Sequence, residues 1–286
     1  MDDQYDRERV AASFNVYGER EWERHEDSVA ARVSFLNHQA FLGDRVHSAD
    51  RVLEVGAGPG RFTIELAKLG AIVTAVDISP VQLELHESHV GAAGAEASVE
   101  RRVFADVVDL SAFDSSSFDA VVCFGAPLSF VMERVDGAFA ELVRVVRPRG
   151  VILLSVASRF GTMRAFLPAV HEEIVQDSIE WTEAVIATGD LTSPHASLGV
   201  PMHLFTWEEL RRLIARHRCE VLDAAAANFL STADPATCQS FADDERLWPR
   251  FLEWERAACR ERGAIDGGTA IVAAVRRQER PLRSEE

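Results

Sequence analysis

The sequence predicts an α/β protein with a doubly wound, mostly parallel sheet. Two observations predict this class: short apolar runs alternate with helix-like segments, and a glycine-rich turn follows the first run. The runs that read as strands lie near residues 51–55, 72–76, 99–104, 118–124, 150–156, 219–223 and 269–275. Such a sheet binds its ligand at the carboxyl ends of the strands.

The predicted helices lie between these strands, and several carry recognisable start or stop signals. The approximate ranges of the first three in the core are 60–69, 79–90 and 135–146. Pro148 stops the third of these, and Gly150 turns the chain into the fifth strand. A later helix starts at Thr206, whose side chain is placed to cap it, with Glu209 as the return partner of a capping box.

Segments outside the alternation divide the chain into further parts. We predict an N-terminal helical cap at 1–45, a core at 46–157 and 201–277, a lid insertion at 158–200, a helical insertion within the core at 228–266 and a flexible tail at 278–286. In the cap, two helices are expected around an aromatic cluster of Phe14, Tyr17 and Trp22. Insertions after the fifth strand of this fold class often cover the substrate.

Composition limits the classes of function. Hydrophobic residues make up 47% of the 286 residues, enough for a sizeable core. The net charge of -16 argues against non-specific binding to nucleic acid or to an anionic membrane. We find no apolar leader or membrane span, and the four cysteines form no C-x-x-C pair, so we expect a cytoplasmic protein without a zinc cluster. The sequence does not determine the oligomeric state, and a homodimer is possible.

The glycine turn indicates a nucleotide-like ligand. Glu54 precedes three glycines at every second position, Gly56, Gly58 and Gly60. A residue without Cβ lets the backbone approach a ligand closely at the start of a helix. Asp77 closes the next apolar run, about twenty residues later, where an acid can accept hydrogen bonds from ribose hydroxyls. The sequence therefore predicts a cofactor of the adenosine type.

The spacing of the glycines distinguishes between cofactors. A dinucleotide fingerprint, G-x-G-x-x-G, requires its third glycine at the position of Arg61, so a dehydrogenase is the weaker reading. The observed E-x-G-x-G-x-G pattern resembles that of the class I S-adenosylmethionine-dependent methyltransferases. Further similarity lies at residues 104–107, 118–124 and 138–150. The resemblance implies a Rossmann-like seven-stranded fold with S-adenosyl-L-methionine as the cofactor.

The resemblance also implies a set of cofactor contacts. We assign them to Tyr17, Glu54, Gly56, Ala57, Gly58, Gly60, Asp77, Ile78, Gln82, Asp106, Val107 and Phe124. In the family, the residue matching Asp106 binds the adenine amino group, although here Asp106 could instead cap a turn, and Asp109 competes for either role. Tyr17 could close over the site with the N-terminal helices, or it could pack against the neighbouring rings.

The resemblance implies direct transfer of a methyl group to a small molecule. Oxygen is the first choice of acceptor atom, with nitrogen, carbon and sulfur open. The protein would supply orientation and, where the acceptor carries a proton, a base. His203 is the first candidate, and His25, His171 and His195 are weaker ones, since any of them could be a structural histidine.

Departures from known subclasses narrow the assignment. Residues 125–128 read Gly-Ala-Pro-Leu, unlike the Asn/Asp-Pro-Pro-aromatic motif of many amine methyltransferases. The chain lacks the clustered Asp and Asn of catechol-type enzymes, so no metal is expected. Two alternatives remain: an enzyme of the same fold that uses the cofactor for another reaction, and a non-catalytic binding partner.

Overall fold

A seven-stranded sheet forms the centre of the protein. The computed structural model describes residues 4–176, 178–192, 196 and 198–278. The strands of the central sheet are β1 (Arg51–Val55), β2 (Ile72–Asp77), β3 (Val99–Phe104), β4 (Phe118–Cys123), β5 (Val146–Ala157), β8 (Cys219–Ala226) and β9 (Ala270–Arg277). Two short strands, β6 (Asp190–Leu191) and β7 (Met202–His203), pair separately with each other.

The strand order in the central sheet is β3-β2-β1-β4-β5-β9-β8. The pairings from β3 to β5 are parallel, and β9 runs antiparallel to both of its neighbours. The chain builds outward from β1 to β3 and then returns to β4 on the other side of β1. This reversal opens a crevice between β1 and β4, where doubly wound sheets bind ligands. The predicted doubly wound, seven-stranded, mostly parallel sheet is confirmed.

Helices cover both faces of the sheet. They are α1 (Arg7–Tyr17), α2 (Arg20–Glu23), α3 (Val29–Gly43), α4 (Arg61–Lys68), α5 (Pro80–Ala92), α6 (Pro127–Phe130), α7 (Val135–Val145), α8 (Arg159–Ala165), α9 (Leu167–Gln176), α10 (Glu180–Thr188), α11 (Trp207–Arg216), α12 (Pro235–Ala242) and α13 (Trp248–Arg260). Helices α7 and α11 pack on one face, and α3, α4 and α13 pack on the other. Each face thus has its own apolar core, as a sheet buried on both sides requires.

The segments outside the core contain more helices than the sequence indicates. The segment predicted as a two-helix cap holds α1 to α3, and the segment predicted as a lid holds α8 to α10. The predicted insertion at 228–266 contains two helices, α12 and α13. Of the predicted tail, only Gln278 is among the described residues.

The join between α7 and β5 differs from its prediction. The strand begins at Val146, so Pro148 and Gly150 lie within it and not in a turn before it. The register shifts along this part of β5, and Arg149 has a φ of 65°. The segment is therefore a bulge in the strand, where a proline is tolerated because a ladder hydrogen bond is already missing.

Candidate functional site

The glycine turn between β1 and α4 uses two of its glycines for packing. Gly56 has a φ of 73°, and a Cβ there would lie 2.5 Å from Cγ of Pro127. Gly60 has a φ of 93°, and a Cβ there would lie 2.6 Å from Cγ2 of Val90. Both positions therefore require glycine for the backbone conformation and for close contact with neighbouring elements.

Gly58 is less crowded than the other two glycines of the turn and lines the cavity described below. Its φ is 53°, and the nearest atom to a Cβ there would be Cγ of Glu21, at 3.5 Å. Its N–H donates a hydrogen bond of 2.8 Å to Oδ2 of Asp77, and Ser79 N donates one of 2.8 Å to Oδ1. Burial raises the pKa of Asp77 to about 6, although these two hydrogen bonds favour the ionised form. The turn thus holds this carboxylate in place at the end of β2.

A cavity of about 80 Å³ lies at the carboxyl ends of β1 to β4. Nine of the predicted cofactor contacts line it, namely Gly56, Ala57, Gly58, Asp77, Ile78, Gln82, Asp106, Val107 and Phe124. Residues from β1, β2, β3 and β4 therefore meet in one place, as the switch point of the sheet predicts.

The other predicted contacts lie elsewhere in the structure. Glu54 is buried in β1, where it accepts a hydrogen bond from the Thr63 hydroxyl, and burial raises its pKa to about 8. Gly60 packs against α5, as described above. Tyr17 ends α1 and is half-buried outside the set of residues that line the cavity.

The predicted aromatic cluster in the cap has a different arrangement. Phe14 packs edge-on against Phe130, with ring centroids 5.4 Å apart. Trp22 stacks on His89 at 3.9 Å, and the guanidinium of Arg61 lies 3.9 Å from the Trp22 ring centre. These contacts attach the cap to the core, because each pair joins a cap residue to a core element.

The N-terminal segment covers the cavity. It contributes six lining residues, which are Tyr5, Val10, Phe14, Glu21, Arg24 and His25. The hydroxyl of Tyr5 donates a hydrogen bond to Oδ2 of Asp106. Burial and the nearby Asp106 carboxylate raise the pKa of Tyr5, so the hydroxyl remains a donor at neutral pH. Val108 N donates to the other oxygen of Asp106 at 3.0 Å.

Gln82 connects the cap to the wall of the cavity. Its Nε2 donates to the carbonyl oxygens of Phe14, at 3.1 Å, and Gly18, at 3.0 Å. Its Oε1 is buried and has no hydrogen-bond partner in the part of the chain that the structure describes. A buried acceptor without a partner at a cavity is a candidate contact for a ligand donor.

The structure places the candidate histidines in different regions. His203 lies on β7, where its Nδ1 is 2.6 Å from Oδ1 of Asp190, and it is not among the described residues that line the cavity. His171 is exposed on α9, and His195 lies outside the described residues. His25 lines the cavity, and burial lowers its pKa to about 2, so its imidazole is uncharged at neutral pH.

The sequence did not indicate Tyr5, Glu21 and Arg24 as parts of the site. Arg24 Nε donates 2.6 Å to Oε1 of Glu21, and both residues line the cavity. The available signal was the mixture of charged and aromatic residues in the predicted cap. Among the described residues, no group of His, Cys, Asp and Glu is arranged to hold a metal ion. None of the described helices has the length and hydropathy needed to span a membrane.

Residues 52–150 match the family model described as a methyltransferase domain. These residues form a methyltransferase domain. They include β1 to β4, the glycine turn and the first part of β5, so the cavity described above lies mainly within the domain. The resemblance to class I S-adenosylmethionine-dependent methyltransferases, drawn from Glu54, the three glycines and Asp77, is thereby confirmed.

One curated relative is a ubiquinone biosynthesis O-methyltransferase of Xanthomonas oryzae pv. oryzae (strain PXO99A). It is 38% identical over 125 residues, which are 42% of this chain and 47% of the relative. The chain thus matches about half the length of this relative.

Solved structures share the fold of the methyltransferase domain and its surroundings. A 1,6-didemethyltoxoflavin-N1-methyltransferase of Burkholderia thailandensis has a TM-score of 0.57 at 18% identity, over 95% of this chain and 88% of that one. The [4+2]-cyclase SpnF has a TM-score of 0.54 at 17% identity, over 84% of this chain and 80% of that one. At these identities, the likeness supports the fold alone.

Proposed function

We propose that this protein is a methyltransferase that uses S-adenosyl-L-methionine to methylate a small molecule, with oxygen as the first choice of acceptor atom. One observation carries the proposal. Two buried carboxylates, Asp77 at the end of β2 and Asp106 after β3, line one cavity together with the backbone of Gly58. The family model of the domain and the name of the Xanthomonas relative support the same activity.

The residues of the cavity fit the adenosine part of this cofactor. In this proposal, the carboxylate of Asp77 would accept hydrogen bonds from ribose hydroxyls, and Asp106 would accept one from the adenine amino group. Gln82 offers a buried acceptor without a protein partner. When bound, S-adenosylmethionine supplies a methyl group on a positively charged sulfur, and that sulfur keeps the electron pair as the methyl is lost.

The cap must move to admit S-adenosylmethionine. The cavity of about 80 Å³ is well below the roughly 300–1,000 Å³ of typical ligand pockets. Tyr5 holds Asp106, so the adenine amino group and the Tyr5 hydroxyl compete for the same carboxylate. We propose that release of Tyr5 opens the cavity and that closure of the cap excludes water from the reacting groups.

Two side chains that line the cavity, those of Arg24 and His25, have distinct roles in this proposal. Arg24 supplies a positive charge next to the end of β4, where it lines the cavity with Gly125. His25 contributes an uncharged imidazole, since burial lowers its pKa to about 2. His203 pairs with Asp190 outside the cavity. The geometry supports its predicted role as a base less well than it supports the roles of Arg24 and His25.

Methyl transfer is tested with methyl-labelled S-adenosylmethionine and a panel of small phenols, carboxylic acids and amines. We expect label in an oxygen-methylated product, and less of that product in Asp77→Asn when S-adenosylmethionine is limiting. Consumption of an acceptor without transfer of the label would favour the alternative, a different reaction on the same fold. The cytoplasmic location, the homodimer and the lack of nucleic-acid binding stay predictions.

A further inference from the structure

A second cavity adjoins the cofactor cavity. Its volume is about 510 Å³, within the range of sites for small molecules. Its lining includes Ala31 at the start of α3, Phe166 at the end of α8, Asn228 after β8 and Thr269 before β9. The methyltransferase domain at 52–150 contributes none of the described lining residues, so this cavity belongs to the rest of the chain.

The two cavities share part of their walls. Arg24 and His25 line both of them. Nη2 of Arg24 lies 3.3 Å from the position that a Cβ on Gly125 would occupy, so the guanidinium sits just beyond the end of β4. The guanidinium of Arg24 therefore lies at the boundary between the two cavities.

The polar wall of the second cavity is held rigidly by its own hydrogen bonds. Thr269 N donates to Oδ1 of Asn228 at 2.9 Å. The hydroxyl of Ser231 donates 2.8 Å to Oε1 of the fully buried Glu255, which also accepts hydrogen bonds from backbone N–H groups nearby. Apolar residues such as Val29 and Phe166 also line the cavity, so it suits a molecule that joins an apolar body to a polar group.

The charged residues of the second cavity indicate which charge a bound molecule would carry. Arg24 is 33% exposed and pairs with Glu21 through one edge, and a guanidinium has further N–H donors to offer. His25 adds no positive charge. Asp27 also lines the cavity, and its negative charge opposes each anionic group of a bound molecule, so a monoanion is favoured over a dianion.

Building on the proposed function, we propose that the second cavity binds the methyl acceptor, a small polar monoanion whose ionised oxygen, a carboxylate or a phenolate, pairs with Arg24. An ionised oxygen already holds the lone pair that forms the new bond to the methyl carbon. No proton then leaves during the transfer, and the product is a neutral ester or ether. The reaction would therefore need no basic histidine at the junction of the cavities.

The acceptor site is tested by calorimetry on the protein saturated with S-adenosylhomocysteine. The probes are benzoate for a carboxylate, 4-nitrophenol for an acidic phenol and benzamide as the neutral control. We expect at least one anionic probe to bind and benzamide to bind about tenfold more weakly or not at all. Arg24→Gln should remove this preference, because the paired charge is lost.

Two tryptophan variants make the location testable. Ala31→Trp fills the second cavity and should abolish probe binding, while the affinity for S-adenosylhomocysteine stays within about twofold of the wild type. Ala215→Trp, an exposed position on α11, is the matched control and should leave both affinities unchanged. Retained S-adenosylhomocysteine binding shows that each variant is folded.

Three results would overturn the assignment. They are equal binding of probes to Ala31→Trp and wild type, benzamide binding as tightly as the anions, and no probe binding to a protein that binds S-adenosylhomocysteine. A wild-type protein that does not bind S-adenosylhomocysteine would instead overturn the proposed function, and this assignment would fall with it.

Discussion

The hydroxyl of Tyr5 donates a hydrogen bond to Asp106 across 101 positions of the sequence. This bond ties the N-terminal segment to the carboxylate after β3. It places the cap directly over the cavity at the switch point of the sheet. The cap and the proposed cofactor would therefore compete for one carboxylate, and the strength of this bond should control entry to the cavity.

Removal of the Tyr5 hydroxyl should accelerate cofactor binding. Tyr5→Phe retains the ring but loses the hydrogen bond, which contributes about 1 kcal/mol, so S-adenosylhomocysteine should associate about fivefold faster. Stopped-flow tryptophan fluorescence measures the rate. Tyr17→Phe, outside the cavity, should change nothing, and an unchanged or slower rate in Tyr5→Phe would show that the cap does not limit entry.

Loss of the Asp77 charge should weaken binding more than loss of a nearby exposed charge. Asp77→Asn should lower the affinity for S-adenosylhomocysteine by about tenfold or more, because charge-assisted hydrogen bonds to the ribose become neutral ones. Asp114→Asn, at an exposed carboxylate between β3 and β4, is the control and should stay within about twofold. Equal affinities of the two variants would remove Asp77 from the site.

The affinity should also depend on pH. Burial raises the pKa of Asp77 to about 6, so the carboxylate is ionised above this pH and protonated below it. Affinity for S-adenosylhomocysteine should therefore be constant above about pH 7 and fall as the pH drops through 6. Calorimetry between pH 5 and 8 tests this with Asp77→Asn as the comparison, and parallel profiles for the two proteins would contradict it.

Glu54 should make stability depend on pH. Burial raises its pKa from 4.5 to about 8, so the folded protein binds a proton more tightly than the unfolded chain. The free energy of unfolding should fall as the pH rises from 4.5 towards 8 and should level off above 8. Glu54→Gln removes this cost but retains an acceptor for Thr63.

The measurement is the melting temperature of Glu54→Gln and of the wild type across this pH range. Asp77 titrates in both proteins, so the difference between them isolates Glu54. The variant should gain stability relative to the wild type as the pH rises from about 5 to about 8. A difference that does not change with pH would show that Glu54 keeps its ordinary pKa.

The glycines of the turn should separate stability from binding. Gly60→Ala places a Cβ 2.6 Å from Val90 and should lower the melting temperature strongly. Gly58→Ala meets no atom closer than 3.5 Å, so it should cost only about 1–2 kcal/mol from its positive φ. Its methyl group should weaken S-adenosylhomocysteine binding, and a reversed pattern by calorimetry and thermal melting would contradict these roles.

The sheet and the residues on its strand ends could be predicted because their signals are local. The glycine turn and Asp77 each follow an apolar run directly, and the alternation of strands and helices brings their ends together. The capping box is another local signal, since Thr206 and Glu209 are three residues apart, and both of its hydrogen bonds are present.

The cap and the second cavity could not be predicted in this way. Tyr5 and Arg24 reach the site through contacts with residues distant in sequence, and no local pattern encodes such contacts. The bulge in β5 could not be predicted either, because a proline usually ends a helix or strand, whereas Pro148 lies within a strand. The sequence position of His203 alone favours it as a base. Its contact with Asp190 results from the pairing of β6 with β7, which the sequence does not indicate.

Calorimetric titration of the wild-type protein with S-adenosylhomocysteine, with NADH as the control, measures whether the chain binds its proposed cofactor. We expect one site per chain with a micromolar dissociation constant for S-adenosylhomocysteine and no heat from NADH. Binding of NADH in place of S-adenosylhomocysteine, or of neither compound, would contradict this expectation.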